Sequence, residues 1–126
     1  MDENKDEVIL VEVKADPRGE IVDVHPLGKK RIRIVHTLPQ SHRGGYIFPN
    51  TEKWVGIIDG SVTFYFSDLK KEEKHKFSAG EKIIIPRRNA YREFTEEGVY
   101  FVAISYGDDK GDIYKNYREI VIDSLK

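Results

Sequence analysis

The chain of 126 residues has no cysteine, one methionine and one tryptophan. Lacking cysteine, it can form neither disulfides, thiol nucleophiles nor thiolate metal sites, so any metal would depend on histidine and carboxylate ligands. No apolar stretch approaches the roughly 20 residues that a membrane-spanning helix needs. The opening MDENKDEVILVEV is acidic and unlike a secretory signal, so the expected compartment is the cytoplasm. A surplus of either charge is missing too: 21 Lys and Arg stand against 22 Asp and Glu, a net charge of −1. No global field then draws in nucleic acid or an anionic membrane. Internal repeats, low-complexity tracts and a convincing amphipathic helix are also absent.

What is there is period-two alternation. In SVTFYFSD, Val62, Phe64 and Phe66 alternate with Ser61, Thr63 and Tyr65, the pattern of a strand with one buried face. In KKRIRIVHT, Ile32, Ile34 and His36 share one face and Arg31, Arg33 and Val35 the other, which predicts a histidine carried on the inward, apolar side. Further strands are expected at 8–15, 20–27, 52–59, 74–77, 81–86, 99–106 and 117–122, all rich in β-branched and aromatic residues. Turns are expected at 16–19, 59–60, 78–80, 96–98 and 107–112, and the charge run KKEEK at 70–74 reads as a solvated hairpin loop. Only GDIYKNYRE suits a helical turn. Many short strands in a chain of this length predict one all-β domain over 1–126, an antiparallel sandwich or barrel.

The segments 44–60 and 80–95, a strand, a Gly turn, a strand and then AGEKIIIP, resemble the two signature stretches of the cupins, double-stranded β-helix or jelly-roll barrels. Within that group the chain is similar to the sugar-nucleotide 3,4-ketoisomerases and the dTDP-4-keto-6-deoxyhexose 3,5-epimerases. DPRGEIVDV, RIVHT, RGGYIFPNTEKWVGIIDGSV, AGEKIIIP and SYGDDKGDIYKNYREI carry this likeness in order and distance. The resemblance implies chemistry without metal or cofactor, a nucleotide-linked or other small anionic sugar as ligand, and a homodimer. The sequence departs from the pattern at the site. Where those enzymes carry Arg-Gly-x-His-x-His, this chain reads Arg43, Gly44, Gly45, Tyr46, Ile47, Phe48; the remaining cupin ligand positions hold Lys53 and Tyr91. Histidines 25, 36, 42 and 75 show no ligand spacing, and no metal is expected.

Candidate catalytic residues are therefore His36, Tyr46 and Lys53, and candidate ligand-binding residues are Arg43, Phe48 and Tyr91. Alternation places Lys53, Val55 and Ile57 inside the barrel, with Trp54 and Ile58 outside. A cation beside a phenol stabilises its anion, so Lys53 with Tyr46 or Tyr91 is a possible proton-transfer pair. His36 is the surviving imidazole base, and Arg43 the fork for a phosphate. Bland alternatives stay open: Lys53 paired with Glu52 or Glu93, His36 bonded to a backbone carbonyl, Arg43 in a rim ion pair, and the aromatic rings filling the barrel. His42 is expected on a loop, exposed. Three functions follow: proton abstraction next to a ketone, sugar or small-molecule binding without turnover, and a filled-barrel interaction protein.

Overall fold

A computed structural model describes residues 10–27, 30–106 and 111–126. The acidic opening, the first two residues of the strand expected at 8–15, the side chain of His25 and most of the turn expected at 107–112 lie outside the described residues. Ten strands and one helix follow in order: β1 (Leu10–Asp16), β2 (Gly19–Leu27), β3 (Lys30–Thr37), β4 (Ser41–Ile47), β5 (Glu52–Ser67), β6 (Glu72–Ser78), β7 (Lys82–Ile85), β8 (Ala90–Thr95), β9 (Val99–Tyr106), β10 (Asp112–Ile113) and α1 (Lys115–Asp123). Every pairing is antiparallel. One sheet runs β1-β2-β3-β9-β5-β7 and the other β10-β4-β8-β5-β6, so β5 belongs to both. The result is the all-β roll that the alternation predicts. No helix among the described residues is long and apolar enough to cross a membrane.

The two sheets face each other across a core of Val35, Val55, Ile57, Val62, Phe64 and Phe101. Val62, Phe64 and Phe66 are buried, as are Val55 and Ile57, while Trp54 and Ile58 face out, all in the phase read from the sequence. The Asp59-Gly60 pair does not reverse the chain. Instead β5 continues for 16 residues through a register shift between Ile57 and Asp59, and there it passes from one sheet to the other. Glu72 to Lys74 begin β6 rather than belonging to a loop.

Three further differences have identifiable causes. First, β4 and β8 form strands where none was expected, because β4 contains two adjacent glycines and β8 mixes Arg and Glu with aromatics. His42 accordingly lies within β4, half-buried against Phe94 with ring centroids 4.5 Å apart. Second, residues 117–122 are helical. Tyr117 and Val121, four apart, are the buried pair of α1, and that spacing outweighs the β-branched composition. Third, β3 is turned over relative to the expectation. Val35 and Thr37 are buried and Arg33 lines the interior, while Ile32, Ile34 and His36 point outward.

Gly45 lets α1 dock. Its φ is +100°, and a Cβ there would stand 2.7 Å from Arg118 Cα. Gly80 has a similar φ of +90° but open space around it. Gly80→Ala is therefore expected to cost only the conformational term, about 1–2 kcal/mol. Gly45→Ala adds a backbone clash and should exceed it, at roughly 3 kcal/mol or more; urea unfolding of the two variants measures the difference.

Candidate functional site

A cavity of about 530 Å³ opens within the roll, floored by Val35, Val55, Phe64, Ile85 and Phe101. That size falls in the range of small-molecule sites. Five of the six residues singled out in the sequence line it: Arg43, Tyr46, Phe48, Lys53 and Tyr91. In a regular strand, residues 43 and 46 would point to opposite faces. A register shift between Gly44 and Tyr46, with both glycines at φ near +100°, absorbs the extra residue and brings Arg43, Tyr46 and Phe48 to one side. The aromatic rings leave the roll open rather than filling it.

His36 is the exception. It lies on the outer face of β3, its ring stacked on Tyr100 at 4.5 Å and 10°, and it does not reach the cavity. The expectation that it serves as the general base is thus corrected. The cause is the reversed face of β3: the residues it sends inward are charged.

At the centre, Lys53 Nζ donates to Tyr91 Oη at 2.8 Å and sits 3.9 Å from the centre of the Phe48 ring. Phe48 and Tyr91 lie nearly parallel, with centroids 6.2 Å apart. Lys53 thus meets a phenol and a π face; Glu52 instead accepts from Trp54 Nε1 at 3.0 Å. Tyr46, paired across the strands with Tyr91, has its ring 6.5 Å from that of Phe48 and lies under the Arg118 guanidinium at 5.1 Å. Arg118 also donates to the Gly44 carbonyl at 2.9 Å, so α1 supplies one wall.

Arg43 and Glu93 are direct cross-strand neighbours on β4 and β8, and both are buried. Arg43 Nε donates to Thr37 Oγ1 at 2.9 Å, which replaces the rim ion pair expected for it. Arg43 Nη2 and Glu93 Oε2 are buried without a hydrogen-bond partner. Burial pushes the Glu93 carboxyl up from its ordinary 4.5 to about 7, against the opposing pull of Arg43, Lys53 and Arg33. Around the opening, Arg33 holds Asp23 through two bonds of 2.7 and 3.0 Å, and Lys14, Arg18, Arg31 and Glu12 complete the lining. Seven basic and three acidic side chains therefore line the cavity of a chain whose net charge is −1.

The sequence reading missed Arg33, Arg118 and the central place of Glu93. Glu93 had a signal, since it stands two residues after Tyr91 in a strand and so shares its face. Arg118 had none, because it arrives on a helix from a distant part of the chain. As donors for a divalent cation the residues fit poorly, because the three carboxylates share the cavity with two phenols and seven basic side chains, and two of those carboxylates stand at its opening. Among the described residues no three of His, Asp and Glu converge.

No family model and no curated protein matches the sequence. Solved structures match its shape. Vicilin from hazelnut, Corylus avellana, superposes with a TM-score of 0.69 at 18% identity, over 84% of this chain and 33% of that one. An oxalate decarboxylase variant from Bacillus subtilis gives 0.70 at 16%, over 77% and 27%. The capsular polysaccharide assembling protein CapF from Staphylococcus aureus gives 0.64 at 13%, over 86% and 32%. The fold is that of the cupins, and the chain spans about a third or less of each of these neighbours.

Glu93 makes stability depend on pH in a defined direction. Its folded value lies above its unfolded one, so the unfolded state holds fewer protons between about 4.5 and 7. The Glu93 contribution is thus most favourable below pH 4.5, falls as pH rises to 7, and is level above. Glu93→Gln should therefore gain on the parent protein across that window, by up to about 3 kcal/mol, as read from denaturant unfolding at pH 4.5, 6 and 8.

Proposed function

We propose that the cavity binds a small anionic carbohydrate, a nucleotide-linked sugar in the first instance. The observation that carries this reading is the buried, unpartnered pair Arg43 Nη2 and Glu93 Oε2 on the wall of a basic, aromatic-lined cavity. A buried donor and acceptor left without partners are each costly, and a ligand that offers both an oxyanion and a hydroxyl satisfies the two together. The flat faces of Phe48 and Tyr91 suit stacking on a sugar or base. The expected likeness to sugar-nucleotide ketoisomerases and epimerases points the same way, and one fold neighbour is named as a capsular polysaccharide assembling protein.

The same groups support proton abstraction next to a ketone. Glu93, with a carboxyl near neutrality, takes the proton from the carbon beside the keto group. The Lys53 and Tyr91 pair, joined at 2.8 Å, faces the oxygen on which enolate charge develops and stabilises it by hydrogen bonding. Tyr46, the cross-strand partner of Tyr91 and under Arg118, supplies a second phenol beside Phe48. In this scheme Lys53 and Tyr46 keep a part in catalysis, Arg43, Phe48 and Tyr91 hold the ligand, and the base is Glu93 in place of His36. No metal or cofactor is invoked. A second reading, binding without turnover, uses the same contacts and differs only in the fate of the C–H bond.

Titration calorimetry with uridine- and thymidine-diphosphate sugars is expected to show binding that weakens with salt, whereas neutral sugars do not bind. Arg43→Gln should weaken it 10- to 100-fold. Deuterium uptake from solvent at the carbon beside the ketone of a 4-keto sugar nucleotide separates turnover from simple binding, and Glu93→Gln should abolish it. Absence of binding by every anionic sugar tested, at low salt, overturns the proposal.

A further inference from the structure

Among the described residues Lys53 is the one lysine that is half-buried; the others are exposed. Lys14, the second lysine of the cavity lining, sits on the edge strand β1 with its side chain 63% exposed. An amine withdrawn from water ordinarily meets a carboxylate. Lys53 forms no ion pair among the described residues, and Glu52 beside it on β5 turns to Trp54. Its Nζ donates to the Tyr91 hydroxyl at 2.8 Å and lies over the Phe48 ring at 3.9 Å. Glu93, two residues beyond Tyr91 and on the same face of β8, adds a carboxyl that burial pushes up to about 7 and whose Oε2 has no hydrogen-bond partner. An amine, a phenol in contact with it and a carboxyl able to carry a proton thus line one open cavity. Hydrogen bonding to an enolate leaves the lone pair of that amine unused, and the guanidinium groups around it have no lone pair to offer.

We infer that Lys53 captures small aldehydes or ketones that carry an oxyanion, holding them covalently as a protonated imine. Arg43 Nη2, buried without a hydrogen-bond partner, takes the oxyanion. Lys53 Nζ, having released one proton to solvent, bonds to the carbonyl carbon as the carbonyl π pair moves to oxygen. That oxygen takes the Tyr91 phenolic proton, and Tyr91 recovers one from the nitrogen. The C–O bond then breaks: the oxygen leaves as water with a proton from the Glu93 carboxyl, and the nitrogen lone pair closes the C=N bond. The products are the protonated imine, the Glu93 carboxylate and one water, and no oxidant or reductant is consumed. The imine carries its positive charge where the ammonium carried it, so the Phe48 face that holds the free side chain also holds the adduct. Its nitrogen draws electrons from the adjoining carbon, and the Glu93 carboxylate left by dehydration is the base for a proton there. This chemistry needs no nucleotide and is separate from the binding of a nucleotide-linked sugar.

The test is reductive trapping on the full chain with cyanoborohydride, read by intact mass and by peptide mapping. Pyruvate and glycolaldehyde phosphate are the probes, one with a carboxylate and one with a phosphate, and acetone and glycolaldehyde are their neutral counterparts. At least one anionic probe is expected to add once per chain, at Lys53, with the mass of the carbonyl compound less one oxygen atom. Lys53→Arg keeps the cation and should abolish this adduct with an unchanged far-UV spectrum. Tyr91→Phe keeps the ring and should slow trapping about 100-fold. Peptide mapping of the parent chain locates the adduct even where a variant fails to fold. No adduct with either anionic probe overturns the inference, as do adducts spread evenly over the exposed lysines or a neutral counterpart trapped as fast as its anionic partner. Binding of a nucleotide-linked sugar without trapping overturns this inference alone, whereas trapping at Lys53 without such binding upholds it and overturns only the sugar-nucleotide reading.

Discussion

Strands β1 to β3 send Glu12, Lys14, Asp23, Arg31 and Arg33 to the cavity side and Val11, Val13, Ile32 and Ile34 to the outer side, and much of the site's character follows from that inversion. Burying Arg43, Glu93 and Asp23, the last beside a half-exposed Arg33, incurs desolvation that a packed apolar interior would avoid. The roll tolerates this because both sheets also supply an apolar core, Val35, Val55, Ile85 and Phe101 from the first and Val62, Phe64 and Phe66 from the second. The interior is thus divided: one end is packed, the other polar, and the cavity lies where the two meet. Polar side chains held there by strands on both sides are already oriented, which lowers the cost of organising them around a ligand.

How far the sequence foretold this depended on whether a strand had one obvious inner face. In β5 the inner faces of Lys53 to Ile57 and of Val62 to Phe66 were each readable, but their join was not, since Asp59-Gly60 was expected to turn the chain and a register shift carries it on instead. In β3 the rule that the apolar side goes inward selected the wrong side. RIRIVHT offers Ile32 and Ile34 on one face and Val35 on the other, and only pairing with Asp23 of β2 shows that Arg33 belongs inside. The convergence of Arg43, Tyr46, Phe48, Lys53 and Tyr91 was anticipated from their positions in the cupin pattern. The bulge at Gly44 and Gly45 that allows it was not, since two glycines in sequence do not announce a register shift. Helix α1 was hidden by REIVI, whose composition favours a strand and whose Tyr117 and Val121 spacing favours a helix.

Fold neighbours sharpen what is distinctive about the site. Work on the oxalate decarboxylase concerns its Mn(II) centers, whereas here an ammonium group lies against the Phe48 ring and a phenol oxygen. A positive charge provided by a side chain attracts oxyanions as a metal does, but it brings no open coordination positions and its strength depends on its own proton. The interior of this roll thus offers amines and guanidinium groups, with hydrogen-bond direction in place of coordination geometry.

β5 is paired with four other strands, β6, β7, β8 and β9, while among the described residues β1 is held by β2 alone. Opening the roll near β5 would break two sheets at once, so that strand belongs to the slowest class of amide exchange, whereas the β1-β2 hairpin can lift with the loss of a single ladder. Glu12 and Lys14 on β1 stand at the cavity's edge. The hairpin is accordingly the side of the roll where the fabric is thinnest: the part of the cavity wall that carries Glu12 and Lys14 hangs from one ladder of hydrogen bonds.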